Sequence, residues 1–212
     1  MTLKQALTEY KLIAISRGVK AENILRTAEI LLESGIHCME VTFDHTSPEG
    51  YENTLKCMDI LRSLSSQLFV GAGTVLSVKD VKNAEAHGAL YIISPHTDAE
   101  VIRKTKEAGL VSIPGAMTPT ECVSAVNAGA DLVKLFPAAQ LGLDYFKAIR
   151  APLKHIEFVP TGGITPENIG AYLKAGAKAF GIGSNLINST RINAGDFDSL
   201  AENAAAFIKA VQ

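Results

Sequence analysis

The sequence has no tryptophan, few aromatic residues (6%) and no charge of one sign in excess: 20 Lys and Arg stand against 22 Asp and Glu in 212 residues. Balanced charge, without a basic stripe carrying interleaved aromatics, lacks the electrostatic footprint of a nucleic-acid binder, and no nucleic-acid partner is expected. No apolar run approaches the roughly 18 residues that mark a membrane-spanning helix. The stretch from Met1 to Ala6 has no apolar signal core with a small-residue cleavage site, so a soluble cytoplasmic protein without membrane association is expected. Cysteine is sparse. Cys38, Cys57 and Cys122 are odd in number and form no CxxC pair, which argues against a disulfide framework and a zinc knuckle. Also missing are a Pro/Gly/Ser-rich linker, a charge run and a break in composition. With 47% hydrophobic residues, this predicts one domain over residues 1–212 around one sizeable core.

What is present is a recurring phrase: an amphipathic stretch, a glycine suited to stopping a helix in the left-handed conformation, then a short apolar run. Gly35 precedes His37–Phe43, Gly88 precedes Leu90–Ser94, Gly109 precedes Leu110–Pro114, Gly129 precedes Leu132–Phe136, and Gly176 precedes Ala179–Gly183. Leu12–Ile15, Leu68–Ala72 and Ile156–Pro160 raise the count of predicted strands to eight. Helical segments lie between them. In the first, Ile24, Leu25, Ala28, Leu31 and Leu32 are read as one apolar face, stopped by Gly35. Thr118-Pro119-Thr120-Glu121 and Thr165-Pro166 carry helix-start signals. Strict β/α alternation with nearly continuous apolar strands predicts a parallel sheet covered by helices, best met by a (β/α)8 TIM barrel. An open doubly wound sheet is the competing architecture.

In a barrel, alternate residues of each strand face the interior, and chemistry gathers at the C-terminal strand ends. Leu132, Lys134 and Phe136 then share the inner face, with Val133 and Leu135 against the helices; Cys38, Glu40 and Thr42 share it on the second strand, with Met39, Val41 and Phe43 outside. Lys134 and Glu40 thus point inward. One reading is a structural ion pair, since buried charges are costly unless paired. The other is chemical. Burial disfavours the ammonium form, and each unit by which it lowers an ordinary lysine pKa of about 10.4 gives roughly tenfold more neutral, nucleophilic amine near pH 7. A carboxyl group facing that amine can move protons at a carbinolamine.

Thr161-Gly162-Gly163-Ile164 ends the seventh strand and Gly181-Ile182-Gly183-Ser184 the eighth, where barrels commonly hold phosphate on backbone N–H groups. Gly71-Ala72-Gly73-Thr74 is similar but commonplace. Arg17, before Gly18, ends the first strand, where its guanidinium can reach the mouth and grip a carboxylate or phosphate, or lie on the surface. Asp44-His45 has no companion ligand cluster, so no metal site is predicted.

Taken together, Glu40-Val41-Thr42, Val70-Gly71-Ala72-Gly73-Thr74-Val75-Leu76, Ile93-Ser94-Pro95, Ile113-Pro114-Gly115, Val133-Lys134-Leu135-Phe136-Pro137-Ala138 and Pro160-Thr161-Gly162-Gly163-Ile164 resemble the KDPG/KHG aldolases in order and spacing over nearly the whole chain. The resemblance implies a class I aldolase that reversibly splits 2-keto-3-deoxy-6-phosphogluconate into pyruvate and glyceraldehyde 3-phosphate. Action on 4-hydroxy-2-oxoglutarate often accompanies it, and neither metal nor organic cofactor is needed. It implies Lys134 as the Schiff-base lysine and Glu40 as the acid/base. It places Thr74 and the Gly73 backbone at the pyruvyl carboxylate, Pro95, Phe136 and Thr161 beside the substrate, and Gly162, Gly163 and Ser184, with Gly183, at its phosphate. A homotrimer is implied as well. The chain departs from the pattern at Asp44, where many members carry a carboxylate-binding arginine; relatives resembling the galactonate branch end the first strand in Arg-Gly, as Arg17-Gly18 does here. Three rival readings are a barrel isomerase or epimerase using Glu40 as base, a non-catalytic sugar-phosphate binder, and a metal-dependent aldolase.

Overall fold

The computed structural model describes residues 2–212; Met1, the start of the stretch read above for a leader, lies outside them. Thr2 caps a helix absent from the sequence reading, α1 (Leu3–Tyr10): its hydroxyl accepts the Gln5 N–H at 3.2 Å and the Gln5 side chain accepts the Thr2 N–H at 2.7 Å. Strands and helices then alternate as β1 (Leu12–Ser16), α2 (Ala21–Glu33), β2 (Cys38–Thr42), α3 (Pro48–Leu61), β3 (Phe69–Gly73), α4 (Val78–Ala86), β4 (Tyr91–Ile93) and α5 (Ala99–Glu107). They continue as β5 (Val111–Ile113), β6 (Gly115–Ala116), α6 (Pro119–Asn127), β7 (Val133–Leu135), α7 (Ala138–Leu141), α8 (Leu143–Arg150), β8 (Phe158–Pro160) and α9 (Pro166–Lys174). The chain finishes with β9 (Phe180–Ile182), α10 (Ser189–Asn193) and α11 (Asp198–Val211).

The result is an α/β fold with curled parallel sheets. Six strands follow the order β5-β4-β3-β2-β1-β9, and three follow β6-β7-β8. In the first sheet β1 to β5 lie side by side in chain order, and β9, the last strand, pairs with β1, the first. The predicted fifth strand, Leu110–Pro114, is β5 and stops at Ile113, since Pro114 has no N–H to donate; β6, just beyond Pro114, was not predicted. The Pro114 carbonyl still accepts the Lys134 N–H at 2.9 Å, and an isolated parallel bridge joins Thr161 to Gly181. Gly115 lies so close to the Pro95 backbone that a Cβ there would come within 2.4 Å of its carbonyl.

Strand parity is as read from the sequence. Ile13, Cys38, Tyr91, Ile93, Ile113, Leu132 and Val159 form one buried cluster, while Met39, Val41, Phe43, Val133 and Leu135 belong to the larger one between strands and helices. All five helix-stopping glycines, Gly35, Gly88, Gly109, Gly129 and Gly176, have positive φ. Leu25 is a correction: it is 37% exposed, and the buried stripe of α2 runs through Ile24, Thr27, Ala28 and Leu31. One residue past Ile24 is about 100° around the helix, which carries Leu25 off that face.

Candidate active site

At the C-terminal strand ends lies a cavity of about 360 Å³, lined by Ile15, Arg17, Glu40, Thr74, Pro95, Lys134, Phe136, Thr161–Ile164, Gly181 and Gly183–Asn185. Eleven of the twelve predicted site residues line it. Gly73 stands directly behind Glu40: a Cβ there would fall 1.7 Å from Glu40 Oε1, so only glycine leaves room for the carboxylate. Ile164 and Gly181, from the two glycine-rich strand ends, also line the cavity, as do Ile15 and Asn185, which were missed. Ile15 is two residues before Arg17 on β1, so strand parity offered a signal for it. Asn185 donates to the Ile164 carbonyl at 2.8 Å, a contact with no sequence signature.

Lys134 is 7% exposed and Glu40 1%. Neither oxygen of the Glu40 carboxylate has a hydrogen-bond partner among the described residues, so the two are not locked in a hydrogen-bonded ion pair. Burial pushes the Glu40 carboxyl above the ordinary glutamate range, against the pull of Lys134 and Arg17. Burial also lowers the Lys134 pKa; the Glu40 charge opposes this and the Arg17 cation adds to it. The environment therefore favours a neutral amine beside a protonatable carboxyl. The Lys134 ammonium position lies 5.2 Å from the centre of the Phe136 ring, which is 39% exposed and walls the mouth.

Arg17 reaches across from β1 and donates from Nη2 to the Thr74 hydroxyl at 3.0 Å. Thr74 has φ 54°, the left-handed region that β-branched residues rarely enter. Asp44 is directed elsewhere: its carboxylate accepts the Thr46 N–H at 2.8 Å and hydroxyl at 2.6 Å, and does not line the cavity. Those two hydrogen bonds lower its pKa. His45 meets the Thr74 carbonyl at 2.8 Å, and among the described residues no group of three or more His, Cys, Asp or Glu side chains is placed to hold a metal ion. Gly162 and Gly163 have φ 92° and 72°, so consecutive peptides turn at the rim in a conformation that glycine accommodates freely. A broader depression of about 710 Å³ is lined by Asp44–Pro48, Tyr51, Leu76, Ser77, Lys79 and Asp80 among others, and contains neither Lys134 nor Glu40.

The family model described as KDPG and KHG aldolase matches residues 3–203. The chain belongs to this aldolase family. Among its relatives, the 2-dehydro-3-deoxy-6-phosphogalactonate aldolase of Escherichia coli K12 is 33% identical over 204 residues, covering 96% of this chain and 95% of that one. The 2-dehydro-3-deoxy-phosphogluconate aldolase of Treponema pallidum is 31% identical over 204 residues, covering 94% and 93%. The crystal structure of KDPG aldolase from Legionella pneumophila, with pyruvate captured as a covalent carbinolamine intermediate, superposes with a TM-score of 0.86 at 28% identity, covering 97% and 98%. As an aldolase of this family, the protein is an aldehyde-lyase.

Proposed function

We propose that the protein reversibly cleaves 2-keto-3-deoxy-6-phosphogluconate to pyruvate and glyceraldehyde 3-phosphate through a Schiff base on Lys134. The observation that carries this reading is a nearly buried lysine beside a buried carboxyl group with no hydrogen-bond partner, together in one cavity at the strand ends. Neutral Lys134 attacks the C2 ketone, and the carbinolamine loses water as Glu40 supplies and receives protons. The iminium then accepts the C3–C4 bonding electrons while the C4 hydroxyl proton passes to Glu40, and the aldehyde leaves. Protonation of the enamine at C3 and hydrolysis release pyruvate and free the lysine. The iminium is the electron sink, so the step requires no metal.

In this reading Arg17, Thr74 and the Gly73 backbone receive the substrate carboxylate, Arg17 taking the part that Asp44 cannot. Pro95, Phe136 and Thr161 flank the chain of the substrate. Gly162, Gly163, Gly183 and Ser184 hold its phosphate on backbone N–H groups and a hydroxyl. The galactonate epimer is the second reading, favoured by Arg17 lining the cavity and by the Escherichia coli relative.

Residues 1–212 form one domain in this account, and the two sheets close into one eight-stranded barrel; chain continuity through Pro114 and the Thr161–Gly181 bridge support closure. Family resemblance supports a cytoplasmic homotrimer, and no described helix is long and apolar enough to cross a membrane. Assaying pyruvate release from the phosphorylated gluconate and galactonate acids and from 4-hydroxy-2-oxoglutarate tests the function. Release from the gluconate acid, lost in Lys134→Ala, is expected; turnover of none of the three, or near-normal turnover by Lys134→Ala, would overturn it.

A further inference from the structure

Thr74 stands in a backbone conformation that costs an L-residue roughly 1–2 kcal/mol, so neighbouring contacts must hold it there. Its two flanking peptides are both tethered. The Gly73 carbonyl accepts the Phe43 N–H at 2.8 Å; on the other side, the Val75 N–H reaches the Ile93 carbonyl at a long 3.3 Å. The stronger tether on that second peptide is a side chain, His45, whose Nε2 lies 2.8 Å from the Thr74 carbonyl oxygen. A carbonyl can only accept, so Nε2 carries the proton. The ring is itself held, with its centre 6.0 Å from that of Phe43 and 5.8 Å, edge-on, from that of Tyr51. Asp80 Oδ2 lies 3.9 Å from the same nitrogen, and Asp80 is fixed by the Tyr51 hydroxyl at 2.9 Å and the Leu76 N–H at 3.0 Å.

We infer that His45 is a positioning residue for substrate binding: by holding the Thr74 carbonyl it keeps Thr74 in its left-handed conformation, and through the Thr74 hydroxyl sets the place of Arg17. His45 lines the broad depression outside the cavity, so it acts through Thr74 rather than on the substrate. The inference rests on the reading that Thr74 and Arg17 receive the substrate carboxylate and that Lys134 forms the Schiff base.

The test is a pyruvate titration with cyanoborohydride present, following the mass adduct on the peptide containing Lys134. His45→Phe keeps an aromatic ring between Phe43 and Tyr51 but deletes the donor. It is expected to raise half-saturating pyruvate about tenfold, a 1.4 kcal/mol loss, with the adduct at saturation and the melting temperature close to wild type. His45→Gln, whose amide can donate to the same carbonyl, is expected to recover most of that loss. In a Thr74→Gly background, where glycine takes positive φ without support, His45→Phe should change half-saturation no further. Unchanged half-saturation in His45→Phe, or no recovery by His45→Gln, would overturn the inference while adducts still form. Absence of any adduct in the wild type would instead overturn the Schiff-base reading beneath it.

Discussion

Gly73→Ala tests how tightly Glu40 is placed, with a single methyl group. The added Cβ would lie 1.7 Å from Glu40 Oε1, 2.3 Å from Cδ and 2.5 Å from Cγ. Nonbonded heavy atoms settle near 3.5 Å, so the carboxylate must retreat by more than about 1 Å, or β3 must bend away from it. Gly73 is outside the positive-φ set, so the backbone itself accepts alanine and the clash is the whole perturbation. Overpacking of this kind costs on the order of 1–3 kcal/mol of stability. Displacing an acid/base group by about 1 Å costs on the order of a hundredfold in rate. The assay is steady-state pyruvate release coupled to NADH consumption, beside thermal denaturation. A fall in kcat of roughly a hundredfold in a protein that remains folded at the assay temperature is expected. Activity within twofold of wild type would refute the placement of Glu40 against Gly73.

Glu40→Gln should lower kcat by about 10²–10⁴-fold without lowering the melting temperature at neutral pH. Because burial raises the folded pKa of Glu40, the fold loses stability as pH rises from the ordinary glutamate range up to that raised value, and the neutral amide removes this penalty; a lower melting temperature at pH 7 would contradict it. The alkaline-rising limb of kcat/KM should fall below the ordinary lysine range, since Lys134 reacts as the free amine and burial lowers its pKa. Arg17→Ala removes a cation that lowers it further, so the limb should move to higher pH, whereas Glu40→Gln should move it lower; pH–rate profiles check both signs. Gly163→Ala strains a residue at φ 72° and brings a Cβ within 2.4 Å of that of Ala139. It should raise KM for phosphorylated substrates at least tenfold and affect 4-hydroxy-2-oxoglutarate much less.

Much of the site is legible in the sequence because a strand alternates strictly. Once Lys134 and Glu40 lay on apolar strands, a period of two assigned both to the interior, and Cys38 and Leu132 in the inner cluster agree. The same alternation said nothing about Pro114, where a missing donor rather than a face ends the strand. Helix α1 was readable from Thr2 and Gln5, spaced as a capping pair, but eight residues with two fully buried, Ala6 and Leu7, present little periodicity. Thr74 is the clearest limit. A positive φ is foreseeable at Gly162 and not at a threonine, whose conformation depends on His45, Phe43 and Ile93 from other segments. Asp44 shows the converse: the sequence marks it as a departure where many family members carry an arginine, yet its carboxylate is held by Thr46 and does not line the cavity.

In the proposed mechanism the Lys134 amine forms the covalent intermediate. Incubating the wild-type protein with pyruvate and borohydride, then mapping its peptides by mass, tests this without any assumption about the sugar acid. A reduced pyruvyl adduct on the peptide containing Lys134, absent from Lys134→Ala, is expected. An unmodified Lys134 under conditions that label a control aldolase would contradict it.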